Sequence, residues 1–156
     1  MVSSLPDRLE GWLSPLADVI GPVYPWLNGL HVLSIGLLGA IVILDLRLLG
    51  AFRTVAVSQL AGPSVQVAAW GLASAITTGL LLFSVQPAHY LSNPAFLAKL
   101  AIVAIGLINT LLLRLGSAWQ TLLRDRPVPA RARAAAGASL ASWTAAIFAG
   151  RWIAYL

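Results

Sequence analysis

The chain has no cysteine, one methionine and one lysine among its 156 residues. Without thiolates it can form no disulfide, no cysteine-ligated metal site and no iron–sulfur cluster, and the usual clue to redox compartment is missing. So few sulfur ligands leave little for a cuprous ion to bind. Charge is scarce too. Only 10% of residues are charged, against roughly 25% in an ordinary soluble domain. No phosphate-cradling glycine loop, no HExxH helix and no nucleophile, base and orienting-acid set occurs. With two histidines in the whole chain and one carboxylate in its long apolar runs, a hydrolytic zinc site is a poor reading. The net charge of +5 would suit nucleic acid, but the arginines are few and flank apolar runs. They read as topology signals, so no nucleic-acid partner is expected.

What the chain does have is apolar surface: 59% of residues are hydrophobic and the mean hydropathy is +0.86. This is the composition of an integral membrane protein. At about 20 residues per crossing the length admits four or at most five spans, in one domain. The expected fold class is all-α: a polytopic four-transmembrane-helix bundle preceded by a short amphipathic interfacial helix.

Residues 1–26 mix Asp7, Arg8, Glu10 and Asp18 with Leu9, Trp12, Leu13, Leu16 and Val19 or Ile20 at near-helical spacing, which predicts a helix lying on the membrane surface. The first span is expected over 27–50. Gly62-Pro63 and Gln86-Pro87 bound a second over 65–86, and Pro94 opens a third over 95–115. The polar connection RDRPVPARAR, 124–133, leads to a fourth over 134–154. Residues 27–156 thus make up the transmembrane domain. The connections at 45–65 and 114–133 carry seven arginines, and the short one at 87–94 carries no Lys or Arg. The positive-inside rule then puts the arginine-bearing connections in the cytoplasm and both termini on the periplasmic side of a bacterial inner membrane. Tyr24, Trp26, Tyr90, Trp152 and Tyr155 fall at the outer ends, as an aromatic belt would.

This topology gathers His31, His89, Lys99 and Arg151 at the face where few cations are expected. Lys99 is the most telling, because an ammonium at a bilayer centre costs about 2.5–3.5 kcal/mol on insertion scales. Either it serves a bound group or it snorkels to the interface. Val103, Gly106, Thr110 and the adjacent Asn109 continue its face and favour a helix contact. His31 is a candidate metal ligand, its other ring nitrogen free to donate to a neighbour; alternatively it is hydrogen-bonded to an adjoining helix. His89 is either a second ligand or a solvated loop residue. Arg151, opposite the small-residue stripe Ala135, Ser139, Ser142 and Ala146, either holds a carboxylate or snorkels. Asp45 and Arg47 are expected to pair with Arg114 or other loop charges and to fix helix positions.

His31, LDLRLLG at 44–50, TTGLLLF at 77–83, NPAFLAKL at 93–100, Asn109 and GRWIAY at 150–155 together resemble an uncharacterised family of small four-helix bacterial membrane proteins. The resemblance covers nearly the whole chain. More distantly, a first-helix histidine, a glycine-bearing second helix and a lysine in a proline-preceded third helix resemble the HemJ-type protoporphyrinogen oxidases and the CopD-type membrane domain. That resemblance implies haem ligation at His31 and a functional requirement for Lys99. Asn109 stands where a further histidine would be sought, so haem b binding is implied more than porphyrinogen oxidation. The leading expectation is a b-type haem electron-transfer protein with its site near the outer face, His31 and His89 as metal ligands, and Lys99 and Arg151 toward the haem carboxylates. Quinone or a periplasmic redox protein would be its partner in the lipid bilayer. The alternatives are a non-catalytic accessory subunit of a larger complex or a homo-oligomer, packing through the stripe and the Gly36 and Ala40 pair, and a CopD-like metal-handling protein.

Overall fold

A computed structural model describes residues 5–155, and among them every regular element is helical. Helix α1 (Leu5–Ile20) passes through a single 3-10 turn, Gly21–Val23, into α2 (Tyr24–Leu38), which continues as α3 (Ala40–Leu49). Then come α4 (Val57–Val85), the short α5 (Pro87–Ser92), α6 (Pro94–Leu115), α7 (Ser117–Leu123) and α8 (Ala130–Trp152), followed by a last 3-10 turn, Ile153–Tyr155.

The boundaries follow local chemistry. At the head of α6, Asn93 accepts hydrogen bonds from the Ala95 and Phe96 amides, at 2.9 and 3.3 Å, and Pro94 takes the first helical position, where no N–H is needed. Between α2 and α3 the ladder tightens at Gly39, whose N–H reaches the Gly36 carbonyl at 3.0 Å. A Cβ on Gly39 would lie 2.9 Å from that same oxygen. Helix α3 ends on Gly50 in the left-handed region, φ +111°, as helix ends often do.

Pro63 does not end a helix. It lies inside α4, which begins at Val57 rather than near residue 65. Proline there forfeits one backbone hydrogen bond, but the turn ahead of it places Val57 and Ala61 in the main apolar cluster with Leu44, Leu48, Leu122, Ala132 and Ala136. Burial of that turn outweighs the lost bond.

Helix α2 packs along α4, and α6 packs along α8; α3 joins the two pairs by lying against both α4 and α8. Three stretches are long and apolar enough to cross a membrane: the helical run Arg8–Leu49, α4 and α6. Helix α8 has the length, but alanine, glycine, serine and two arginines in its first turns leave it less apolar. Helix α1 packs on α4 and α5. Its Leu9 and Leu13 are half-buried and Ile20 is buried, whereas Trp12, Leu16 and Val19 on the predicted stripe remain exposed.

Small and polar side chains share the inside with the leucine cluster, and many large apolar ones face outward. Ser34, Asp45, Thr78, Asn93 and Ser139 are buried beside Ala68, Ala75, Ala95 and Ala146, while Leu33, Leu80, Ile105, Leu112 and Phe148 are exposed.

Candidate functional site

The bundle has two chemically distinct ends. At one, Arg47 at the end of α3, Arg53 in the α3–α4 connection, Arg126 in the α7–α8 connection and Arg133 at the start of α8 line a common pocket. At the other, Tyr24 and Tyr90 share a hydrogen bond between their hydroxyls, 3.1 Å, and the Asn93 amide donates to the Ile153 carbonyl, 3.1 Å, tying the start of α6 to the end of α8. His31, His89, Lys99 and Arg151 all belong to this second end, near the start of α2, in α5, near the start of α6 and at the end of α8.

His31 reaches across to α4. Its Nδ1 lies 2.9 Å from Thr78 Oγ1, and that hydroxyl donates its single proton to the Ser74 carbonyl at 2.7 Å. With its proton on the Ser74 carbonyl, or on that of Ala75 at 3.3 Å, Thr78 can accept from His31 Nδ1–H, the tautomer that leaves the lone pair on Nε2. The Ala75 carbonyl lies beside the same ring. Gly79 keeps the wall flat, since a Cβ there would come within 3.1 Å of His31 Cε1. One turn along, Ser34 Oγ bonds the Leu30 carbonyl and Ser74 Oγ, both at 2.7 Å, so the α2–α4 contact is a ladder of hydroxyls with the imidazole at its end.

Lys99 belongs to the other helix pair. Its stem lies over Gly150 of α8, with Cε and Nζ each 3.4 Å from where a Cβ would be. The face that follows Lys99 along α6 is turned to α8: Gly106 packs on Ser142 and Trp143, and Asn109 Nδ2 donates to the Ala135 carbonyl at 2.9 Å.

The other two candidates have different surroundings. Arg151 is exposed and lies over the Tyr155 ring, 5.2 Å from its centroid, with Nη2 donating to that phenol at 3.0 Å. His89 is exposed on α5, its ring edge-on to Tyr90. Tyr90 packs at a tilt against Phe83 and Phe96, which stack on each other, to close this end. Burial and the Tyr24 hydroxyl both raise the Tyr90 phenol above its ordinary pKa. Among the described residues no cluster of three or more His, Cys, Asp or Glu side chains is placed to hold a metal ion.

Asp45 forms no ion pair of the expected kind. It points inward, 4% exposed, toward Ser139, and its Oδ2 has no hydrogen-bond partner. Arg47, two positions on and so more than half a turn around the helix, faces the α3–α4 connection and donates Nε to the Val55 carbonyl at 2.6 Å. Asp45 lines a partly open pocket of about 120 Å3 between α3, α4, α6 and α8, together with Asn109, Ser139 and Trp143, whose indole N–H is also buried without a partner among the described residues. Trp143 and the hydroxyl ladder escape a reading of the sequence. Ser34, Ser74 and Thr78 at helical spacing are the one available signal, and it does not say which helix they face.

No protein-family model, curated protein or solved structure matches this chain.

Proposed function

We propose that the chain is an integral protein of the bacterial inner membrane, crossing it four times with both termini on the periplasmic side, and that its histidine end holds a b-type haem for electron transfer. The distribution of side chains supports the first part: small and polar groups lie at many helix contacts beside the leucine cluster, and many bulky apolar ones look outward to where lipid would be. The two arginine-bearing connections share one end, as the positive-inside rule requires of cytoplasmic segments.

One observation carries the second part. His31 Nδ1 lies 2.9 Å from Thr78 Oγ1, a partner that suits the tautomer with the lone pair on Nε2, which iron ligation needs. Lys99 supplies the nearby positive charge that a haem carboxylate would take. Glycines at 79 and 150 let these two side chains lie directly against α4 and α8. The residues fit the group through His31 as protein ligand. Haem, when bound, supplies one-electron cycling of its iron. The chain's contribution is to orient the imidazole through Thr78 and to balance negative charge through Lys99. Quinone or a periplasmic redox protein is the partner class for such a site.

Protein expressed with ample haem should purify red. His31→Ala should abolish or strongly reduce the haem absorbance in protein that still inserts, Lys99→Met should weaken haem retention or shift its potential, and His89→Ala should leave the absorbance intact. Loss of the spectrum in His89→Ala would instead make it the second axial ligand. A colourless wild type overturns the haem reading and leaves Lys99 as an interface anchor.

A second reading, an accessory subunit or a homo-oligomer, has its own observation. Gly29 and Gly36, seven residues apart on one face of α2, are exposed, and a Cβ at either would meet no atom within 4 Å. Such a small-residue strip lets another helix approach closely.

A further inference from the structure

We propose that the pocket between the α3–α4 and α7–α8 connections is a binding site for a phosphate-bearing ligand. It is independent of the histidine end and lies at the opposite pole of the bundle. Its volume is about 600 Å3, within the roughly 300–1,000 Å3 of small-molecule sites. Four guanidiniums, Arg47, Arg53, Arg126 and Arg133, line it against one carboxylate, Asp125. That carboxylate is already engaged: its two oxygens accept from the Ser58 amide at 3.0 Å and the Ser58 hydroxyl at 2.6 Å. The pocket is left with a strong excess of positive charge.

The donors are also organised. Arg47 spends Nε on the Val55 carbonyl and Arg53 spends Nε on the Gly50 carbonyl at 2.9 Å. Arg47 also donates Nη2 to the Arg53 carbonyl at 3.5 Å and so braces the connection, whereas Arg53, anchored at its base, keeps its terminal N–H groups for a fork that matches phosphate oxygens. Gly50 gives the Arg53 fork its room, because a Cβ there would stand 3.3 Å from Nη2.

Backbone conformation adds a separate indication. All three positive-φ residues among those described belong to the connections that build this pocket: Gly50 at +111°, Phe52 at +48° and Asp125 at +51°. Non-glycine residues keep such conformations only where their surroundings over-determine them, and they concentrate at ligand sites. Charge at the ends of apolar helices is by itself a topology device. Topology does not require a shaped pocket, and Arg114 at the end of α6, Arg124 after α7 and Arg131 at the start of α8 stay out of its lining. The phosphate could be carried by an anionic lipid headgroup, as in basic pockets at a membrane surface, or by a soluble compound. Both present the same oxygens to the same forks.

Thermal unfolding of the purified full-length protein tests this. Two probes are titrated: pyrophosphate in solution, and phosphatidylglycerol in mixed micelles set against an equal fraction of phosphatidylcholine. A ligand that binds only the folded state raises the melting temperature in a saturable way. The wild type should respond to at least one probe. A response to phosphatidylglycerol alone identifies a lipid headgroup, and a response to pyrophosphate identifies a soluble phosphate compound. Arg126→Gln/Arg133→Gln should lose most of the rise, while Arg124→Gln/Arg131→Gln, with the same loss of charge outside the lining, should keep it. If the first variant does not fold, Arg53→Gln reads the same loss. No response to either probe, or equal loss in both double variants, overturns the proposal.

Discussion

Gly71 sets how closely α2 and α4 can approach. A Cβ there would fall 2.8 Å from Leu37 Cβ, from the Leu38 nitrogen and from the Ser34 oxygen, and two of those three atoms are backbone that cannot rotate away. Gly71→Ala should therefore push the helices apart and strain the Ser34–Ser74 bond, at about 1–3 kcal/mol, the usual cost of overpacking. Gly62→Ala, in the same helix with nothing within 4 Å, should be neutral or slightly stabilising, by roughly 0.5–1 kcal/mol. Melting the two variants side by side in one detergent checks both. Asp45 offers the opposite kind of test. An ionised carboxylate with an unpartnered buried oxygen is expensive, so the neutral near-isostere in Asp45→Asn should melt at or above the wild-type temperature. A clear drop would mean that the negative charge at this position is used.

At the scale of elements, the α7–α8 connection is pinned to the head of α4 by Asp125 on Ser58. These two hydrogen bonds hold the Asp125 carboxyl below the ordinary carboxylate range. A depressed folded-state pKa stabilises the fold above the unfolded value, and that contribution fades as pH falls through about 3.9 toward the lower folded value. The wild type should therefore lose stability over this acid window more steeply than Asp125→Asn, which keeps the left-handed backbone tolerable but has no charge to titrate. Parallel melts from pH 6 to pH 3 would show it, and coincident profiles would remove Asp125 from the account. The element boundaries show how far local signals reach. Gln86-Pro87 and Asn93-Pro94 mark the breaks they predict, since a cap and a missing N–H act within a few residues. Gly62-Pro63 misleads, because the turn before it is kept helical by Leu44, Leu48 and Leu122, contacts from other parts of the chain.

For the whole molecule, the proposed four-span arrangement predicts that reporters fused after residues 58 and 122 report cytoplasm and one near residue 91 reports the periplasm. A further fusion after residue 155 is the most demanding, because α8 must then cross although it is the least apolar of the four bundle helices. The four-span arrangement expects a periplasmic signal there, and a cytoplasmic one would mean that α8 does not cross. Length, composition and apolar runs are properties of the chain itself, so the all-helical class, the long apolar helices and the gathering of histidines and lysine near one end are readable without coordinates. The partner of each polar group is not. Helical periodicity places His31, Ser34 and Asp45 on neighbouring faces of one continuous run, but only packing shows that the first two meet α4 and the third meets α8. Spacing along a helix fixes a direction around one axis, whereas contact depends on where a second axis lies. That is decided by how near two backbones can come, and here glycines at 71, 79 and 150 decide it. The arginine pocket is tertiary for the same reason: its four guanidiniums come from connections more than 70 residues apart, and folding brings them to one place.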